Sequence, residues 1–165
     1  MTKKLLILFI LSATIFSYGN PKEKTTMTWQ TKATEHEGFP LLLRKPDYKS
    51  IWDLKPKYSK LLCVTHELDK VKPNGLPEED YNSSLADFDH EMCTLFENDN
   101  EGIIFLVETF GGERNYYYYI SPTANIDNKL EVIKKGFGIS KLTSSSKEDK
   151  DWGFLDKYPT KLYDK

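Results

Sequence analysis

The clearest periodic pattern in the chain lies over residues 78–97. Its apolar residues recur every three or four positions, at Tyr81, Leu85, Phe88, Met92, Leu95 and Phe96. This spacing places them on one stripe of an α-helix, and the carboxylates at 78–80 would favour the positive end of its dipole. The pattern predicts one helix with a single buried face. A shorter helix over 126–135 is predicted in the same way, with Gly136 and Gly138 suited to its C-terminal cap.

Short alternating or apolar runs predict the strands. Residues 61–68 alternate, and the face with Leu62, Val64 and His66 is the more apolar. Residues 103–107 are apolar throughout, which is typical of a strand buried on both faces. We expect Ile103 and Phe105 to pack beneath the first helix. The remaining predicted strands are a hairpin over 28–34 and 39–44, a tyrosine-rich strand over 114–120 and a short strand over 139–144.

The order of these elements indicates a fold class. From residue 61 onward the order is strand, helix, strand, strand, helix, strand. This is the order of the ferredoxin-like, split βαβ arrangement, in which two helices cover one face of an antiparallel sheet. We therefore expect an α+β fold, a ferredoxin-like split βαβ sandwich with an N-terminal β-hairpin extension. Residues 148–158 are expected to end it as a short helix or ordered loop.

The first nineteen residues have the pattern of a secretory signal peptide. Lys3 and Lys4 precede an apolar run over residues 5–16, and Ser17-Tyr18-Gly19 is a small-x-small cleavage signature. The run is shorter than the roughly 20 residues of a membrane-spanning helix, and the first cysteine, Cys63, lies too far along for a lipoprotein signal. We predict a signal peptide over 1–19, a flexible lead over 20–27 and a single domain over 28–165. The product would be periplasmic or secreted, with no stable membrane anchor after cleavage.

The net charge of the chain argues against one class of partner, nucleic acid. The chain has 23 Lys and Arg against 25 Asp and Glu, a net charge of −2. Loss of the two lysines in the signal peptide would make the mature chain more acidic. A nucleic-acid partner is not expected, because such binding needs clustered excess Lys and Arg to displace counterions from phosphates. The expected partner is an unidentified protein or small molecule.

Motifs that would indicate catalysis are missing from the sequence. His36, His66 and His90 are each followed by Glu, yet none has a second His at the spacing of a helical zinc site, and there is no CxxC pair. The sequence also lacks a GxSxG nucleophile elbow, a phosphate-binding loop and a GxGxxG fingerprint. No catalytic residue, metal ligand or cofactor is predicted from these patterns.

A group of polar residues flanks the turn at Gly111-Gly112. Glu108 could face Arg114 or Tyr116 across the predicted hairpin, and Arg44 could add a second guanidinium. One interpretation is a polar pocket for a carboxylate or phosphate at the end of the sheet. The other is a structural ion pair beside a tyrosine ladder. Of the tyrosines at 116–119, one pair should pack under a helix and the other lie on the open face; Tyr116 and Tyr118 are candidates for ligand contact.

The two cysteines leave a further choice open. Export would place Cys63 and Cys93 where disulfides persist, and both would lie at the same end of the helix and strand layers. Cys93, however, is rotated about 100° from the helix stripe, and Cys63 lies on the less apolar strand face. A bridge requires Cα atoms within about 7 Å. Both a disulfide and two free thiols are consistent with these patterns, and the free thiols are favoured.

Several short segments, in order, resemble a known bacterial family. The segments are Trp29, Gly38-Phe39-Pro40 with Arg44, Tyr58, Leu61-Leu62-Cys63-Val64, Asn74-Gly75-Leu76-Pro77, Gly111-Gly112-Glu113-Arg114, the tyrosines at 116–119, Glu148-Asp149, Asp151-Trp152 and Tyr158-Pro159. Together they resemble the domain of unknown function 695 family over nearly all of the mature chain. That family is in turn similar to the B-type regulator of ribonuclease E activity, a ferredoxin-like binding protein. The resemblance implies a fold and non-catalytic binding, but an exported chain would not regulate a cytoplasmic nuclease.

Two hypotheses of function follow. The first is an exported binding or interaction module, which the missing catalytic motifs and the resemblance favour. The second is a small hydrolase or lyase that uses Glu108 with His66 or Arg114 at the end of the sheet. A concave site with a titratable residue outside its normal range would favour the enzyme.

The signal-peptide hypothesis makes a direct prediction about the mature protein. Mass spectrometry of the protein purified from its native host should find an N-terminus within a few residues of Asn20, because cleavage is expected after Gly19. No lipid modification should be found. An intact Met1 in a cytosolic fraction would contradict the prediction.

Overall fold

A single antiparallel sheet organises residues 27–165, the part of the chain that the computed structural model describes. The predicted signal peptide over 1–19 and most of the predicted lead over 20–27 lie outside these residues. Six strands form the sheet in the order β1-β2-β4-β5-β3-β6, and each neighbouring pair is antiparallel. The strands are β1 (Trp29–His36), β2 (Phe39–Pro46), β3 (Lys60–Glu67), β4 (Gly102–Phe110), β5 (Glu113–Ile120) and β6 (Leu142–Glu148).

Within residues 27–165, four α-helices and one 3-10 helix accompany the sheet, so the α+β class is confirmed. The helices are α1 (Glu79–Ser84), α2 (Ala86–Thr94), α3 (Ile126–Phe137) and α4 (Gly153–Asp156), and the 3-10 helix is Ile51–Leu54. None of the helices described is long and apolar enough to span a bilayer.

The prediction of one continuous helix over 78–97 was wrong in two respects, because the helix is interrupted and because α2 ends at Thr94. The helix is interrupted at Leu85, whose φ of −86° and ψ of 1° lie outside the helical region. Just before the break, the hydroxyl groups of Ser83 and Ser84 donate to the carbonyls of Glu79 and Tyr81. Such local bonds offer the backbone an alternative to the helical ladder. Leu85 nevertheless remains buried, so the predicted apolar stripe continues across the break.

One face of the sheet packs against α1, α2 and α3. The apolar stripe of α2, with Phe88 and Met92, meets β3 residues Leu62 and Val64 and β5 residue Tyr118, all of them buried. The ring of Phe96 contacts that of Tyr118 edge to face, with centroids 5.2 Å apart. This layer is the predicted helix-covered face of the sheet.

The opposite face is also covered, which the sequence-based fold did not predict. The 3-10 helix, α4 and the C-terminal residues Leu162 and Tyr163 form a second core against it. Trp152 is completely buried there. Its ring stacks on Tyr119 with centroids 4.2 Å apart, and its Nε1 donates to the carbonyl of Tyr58 at 2.6 Å. The C-terminal segment is therefore part of the domain core.

The expected packing of Ile103 and Phe105 beneath the first helix was wrong. Both side chains belong to the second core, while Ile104 and Val107 face the helices. The register between β4 and β5 shifts between Ile104 and Leu106. A β-bulge of this kind adds a residue to one strand and changes which side chains face each layer.

The two cysteines lie on different faces of the sheet. Cys93 packs against the helix-side core, whereas Cys63 borders a groove on the opposite face beside Tyr117 and Phe154. Both are free thiols in the structure. Because the sheet lies between them, this arrangement gives no support to the disulfide alternative.

Burial of the α2 stripe predicts a large stability difference between two identical substitutions. Phe88→Ala should lower the free energy of unfolding by about 3–5 kcal/mol, because it removes a ring that is only 2% exposed. Phe39→Ala, at a ring that is 50% exposed, should cost less than about 1 kcal/mol. Urea unfolding of both variants measures the difference, and similar losses would show that Phe88 is not a core residue.

Candidate functional site

A cleft of about 460 Å³ opens between the helix layer and the ends of β2, β4 and β5. Arg44 enters it from β2, Arg114 from β5 and Asp89 from α2. The remaining lining residues are Thr31, Leu42, Lys72, Leu76, Pro77, Glu79, Asn82, Ser83, Ala86 and Thr109. The site therefore joins residues of β1, β2, β4 and β5, both α1 and α2, and the loop that precedes α1.

That loop is held in place by a close approach of two glycine turns. The carbonyl of Gly75 accepts a hydrogen bond from the amide of Gly112 at 2.9 Å. A Cβ added at Gly75 would lie 3.0 Å from the Cα of Gly111, and Gly75 has a φ of +80°. Both space and backbone conformation therefore favour glycine at position 75. Two of the segments that carry the family resemblance thus meet here, and they bring Leu76 and Pro77 to the wall of the cleft.

The carboxylate of Asp89 binds three side chains. Its Oδ1 accepts from Nη1 of Arg114 at 3.0 Å and from the hydroxyl of Tyr116 at 2.5 Å, and its Oδ2 accepts from Nη2 of Arg44. The Asp89 side chain is 13% exposed. These are charge-assisted hydrogen bonds, which are stronger than neutral ones. Asp89 therefore ties α2 to both β2 and β5.

The charge of Asp89 is retained despite its burial. Desolvation acts to raise the pKa of its carboxyl, but the guanidinium groups of Arg114 and Arg44 and the hydroxyl of Tyr116 outweigh it and lower the pKa below its usual value. The pKa of Tyr116 is raised, by desolvation and then by the nearby Asp89 charge. At neutral pH the site accordingly contains an ionised carboxylate between two guanidinium groups.

The two arginines differ in exposure and in how many of their side-chain donors are hydrogen-bonded. The Arg114 side chain is 7% exposed, and besides Asp89 it donates to Asn82 at 2.6 Å and to Thr109 at 3.2 Å. The Arg44 side chain is 35% exposed, and within residues 27–165 its only side-chain hydrogen bond is through Nη2 to Asp89. Its guanidinium also lies 5.9 Å from the centre of the Trp29 ring. Arg114 is a fixed part of the structure, whereas Arg44 has unused donors at the cleft.

Glu108 does not belong to this cleft, and its predicted pairing with Arg114 or Tyr116 was wrong. In the β4–β5 register Glu108 lies opposite Asn115, and Thr109 lies opposite Arg114. Since neighbouring strand residues point to opposite faces, Glu108 and Arg114 are separated by the sheet. Glu108 instead accepts hydrogen bonds from Asn115 at 3.3 Å, from Tyr117 at 3.5 Å and from Tyr158.

The two candidate tyrosines are buried beneath the helices. Tyr116 reaches the site only through its hydroxyl on Asp89, and the Tyr118 hydroxyl donates to the carbonyl of Met92 at 2.7 Å. Tyr117 borders the opposite face instead, where its ring stacks on Phe154 with centroids 5.0 Å apart. Neither Tyr116 nor Tyr118 therefore presents a ring to the cleft.

Asp89 and Asn82 are site residues that the sequence analysis did not single out. Both lie at the margin of the predicted apolar stripe, Asp89 four residues after Leu85 and Asn82 one residue after Tyr81, and polar residues at such positions are commonly solvated. The signal that could have identified Asp89 is a carboxylate at the edge of the buried stripe, three residues before Met92. A pairing with arginines on distant strands requires the tertiary structure.

His66 is a second buried polar group on the helix face of the sheet. Its ring contacts Phe88 edge to face at 5.0 Å, and its Nδ1 has no hydrogen-bond partner among the residues described. Desolvation and then the charge of Arg114 lower its pKa. His66 is therefore neutral at neutral pH and is not part of the cleft lining. Within residues 27–165, no three His, Cys, Asp or Glu side chains form a set that could hold a metal ion.

The lowered pKa of Asp89 predicts that this ion-pair cluster loses stability in acid. A carboxyl with a depressed native pKa stabilises the fold fully above its unfolded pKa of about 4, and this contribution disappears as the pH falls through the native pKa. Asp89→Asn should lower the unfolding free energy at neutral pH by about 3 kcal/mol, because it leaves Arg114 buried without a counter-charge. It should also flatten the loss of stability below pH 4.

The control for this prediction is Asp87→Asn, which makes the same change on the exposed side of α2. Urea unfolding from pH 7 to the acid transition measures both variants. Equal stability of the two variants at neutral pH would show that Asp89 does not hold the site together.

The comparisons with known proteins give a family and no function. Residues 27–158 match the model of a family of unknown function, DUF695. No curated protein and no solved structure matched the chain, and a similarity to the B-type regulator of ribonuclease E activity is not shown. The matched residues include all six strands and every residue of the cleft. Since the match covers most of its length, the chain belongs to the DUF695 family.

Proposed function

We propose that the protein is a non-catalytic binding module whose cleft receives a carboxylate or phosphate group of its ligand. The observation that carries the proposal is the state of Arg44. Its guanidinium is bonded through Nη2 to Asp89, and its side chain lines the cleft and is 35% exposed. A guanidinium has five N–H donors in a planar arrangement that suits a carboxylate or phosphate, and the bond to Asp89 uses only one of its nitrogens.

The charge balance of the cleft supports an anionic ligand. Arg44, Arg114 and Lys72 line it together with two carboxylates, Asp89 and Glu79, which leaves one positive charge in excess. The chain as a whole has a net charge of −2. A positive cleft on a negatively charged protein favours the binding of an anion at this location.

The apolar part of the cleft lining favours a ligand with an apolar part. Leu42, Leu76, Pro77 and Ala86 contribute aliphatic surface next to the polar group of Arg44, Asn82 and Ser83. Ligand sites commonly combine apolar walls with a few polar groups that fix orientation. The proposed ligand is thus an acidic group attached to an apolar or aliphatic body, as in a peptide or an organic acid.

Export and the finer fold assignment belong to the same proposal. The apolar run and cleavage signature at 1–19 support a periplasmic or secreted location. The strand order β6-β3-β5-β4, with helices following β3 and β5, supports a ferredoxin-like core to which β1 and β2 are added.

The hydrolase or lyase alternative receives no geometric support. Its proposed acid, Glu108, lies across the sheet from Arg114 and is hydrogen-bonded to Tyr158. Its other proposed partner, His66, is buried on the helix face. General acid or base catalysis needs such groups within hydrogen-bond reach of one reacting atom.

Anion binding can be tested with two small probes, succinate and inorganic phosphate, which separate a carboxylate ligand from a phosphate ligand. Titrations followed by NMR chemical shifts should place at least one probe at Arg44 and Asn82. Arg44→Met should weaken that binding about tenfold, which corresponds to one charge-assisted contact. Lys135→Met, the same loss of charge at an exposed position of α3, should leave it unchanged.

The fork geometry has its own test. Arg44→Lys keeps the charge but cannot bind bidentately, so its affinity should fall between those of Arg44→Met and the native protein. If neither probe binds, or if Arg44→Met binds as tightly as the native protein, the proposed function is wrong.

A further inference from the structure

β1 forms one edge of the sheet among the residues described. It joins β2 through a two-residue turn at Glu37 and Gly38, which both have positive φ values, 51° and 80°. Two successive positive φ values are typical of a type I′ turn. In such a turn the two flanking residues, here His36 and Phe39, exchange backbone hydrogen bonds. The hydrogen-bonded pairs then alternate along the hairpin.

This alternation identifies which backbone groups of β1 point away from the sheet. Counting from the turn, the non-hydrogen-bonded pairs are Glu35 with Pro40, Ala33 with Leu42, Thr31 with Arg44 and Trp29 with Pro46. Both prolines of β2 fall at such positions, where no N–H towards β1 is needed, which agrees with the assignment. Thr31 and Ala33 accordingly direct their N–H and C=O groups outward, and their short side chains leave room for another backbone.

A second basic pocket, of about 390 Å³, lies on the opposite face of the hairpin from the arginine cleft. Lys32, Lys45 and Lys49 line it and form no ion pair with any residue in 27–165, whereas Lys161 is paired with Asp164 at 2.6 Å. The Nζ of Lys45 lies 4.3 Å from the centre of the Tyr163 ring. Asp47, the other carboxylate of this pocket, accepts a hydrogen bond from Gln30 at 2.8 Å.

Thr31 lines both the arginine cleft and this lysine pocket. The two basic sites therefore lie beside β1 on the two opposite faces of the sheet. We infer that β1 accepts an extended acidic peptide as an added strand, with one carboxylate directed to the Arg44 cleft and the carboxylate of the adjoining residue directed to the lysine pocket. This inference rests on the proposed function of the cleft and specifies its ligand. Backbone hydrogen bonds to an exposed edge are an established mode of peptide binding, and side-chain pockets supply its specificity.

The geometry of a strand leads to a strict spacing rule. A residue paired with Thr31 directs its side chain to the helix face, as Thr31 does, and its neighbour directs its side chain to the face of Lys32. Two acidic residues at adjacent positions would therefore reach both basic sites. Two acidic residues separated by one position would lie on the same face and reach only one.

The spacing rule can be tested with two labelled octapeptides of identical composition, one with adjacent glutamates and one with the glutamates separated by a single residue. Fluorescence anisotropy with the native protein should give about tenfold tighter binding of the adjacent peptide, the equivalent of one additional ion pair. Lys32→Met should remove that preference while leaving the affinity for succinate unchanged. Lys135→Met is the matched control and should preserve the preference.

Strand addition itself has two readouts. Amide hydrogen exchange at Thr31 and Ala33 should slow when the adjacent peptide binds, because their outward N–H groups become hydrogen-bonded. A version of the peptide methylated on the backbone nitrogens that would face β1 should bind at least about tenfold more weakly, with its charges intact.

The outcomes separate this inference from the proposed function. Equal affinity for the two peptides, or unchanged exchange at Thr31 and Ala33, would overturn strand addition while Arg44-dependent binding of succinate or phosphate would still support the cleft. Sedimentation could also show that the protein associates with itself through β1 as its concentration rises. If neither peptide prevents that association, strand addition by a peptide is overturned. Loss of Arg44 dependence for every probe would overturn both proposals.

Discussion

The carboxylate of Asp89 is the interaction on which the arrangement of the helix layer and the strand ends depends. It accepts hydrogen bonds from Arg44 on β2 and from Arg114 and Tyr116 on β5, so one side chain of α2 holds two strands that are not adjacent. Arg114 is too deeply buried to be solvated, and a buried guanidinium without a counter-charge is strongly unfavourable. The position of α2 is therefore fixed by charge compensation as well as by the packing of Phe88 and Met92.

This dependence divides the roles of the two arginines. The Arg114 guanidinium is oriented by its bonds to Asp89, Asn82 and Thr109, so replacing it would chiefly destabilise the fold. Arg44 shares the same carboxylate but keeps exposed donors, and Asp89 limits its motion without occupying its whole fork. A guanidinium held in this way loses less conformational entropy on binding than a free surface arginine, which is the benefit of preorganisation.

The elements of the fold were predictable from the sequence because their periodicity is local. The α2 stripe, the hairpin at Gly111 and the order of strands and helices all appear in the pattern of apolar residues. The break at Leu85 and the bulge near Phe105 were missed, since the first accompanies local hydroxyl bonds of Ser83 and Ser84 and the second is a shift in strand pairing, and periodicity reveals neither. The second layer was missed because Trp152 and Tyr163 lie in segments with too few residues to show a period.

The candidate site was predictable only in part, and the reason is the two-residue period of a strand. Arg44 and Arg114 were expected near each other, and the structure places them on one carboxylate. Glu108 was expected with them, but a displacement of one residue moves a side chain to the other face of the sheet. The same alternation puts Arg44 and Lys45 on opposite faces of β2, one lining the arginine cleft and the other the lysine pocket. A single strand can therefore supply positive charge to two sites, and any ligand that reaches both must itself alternate, as an extended peptide does.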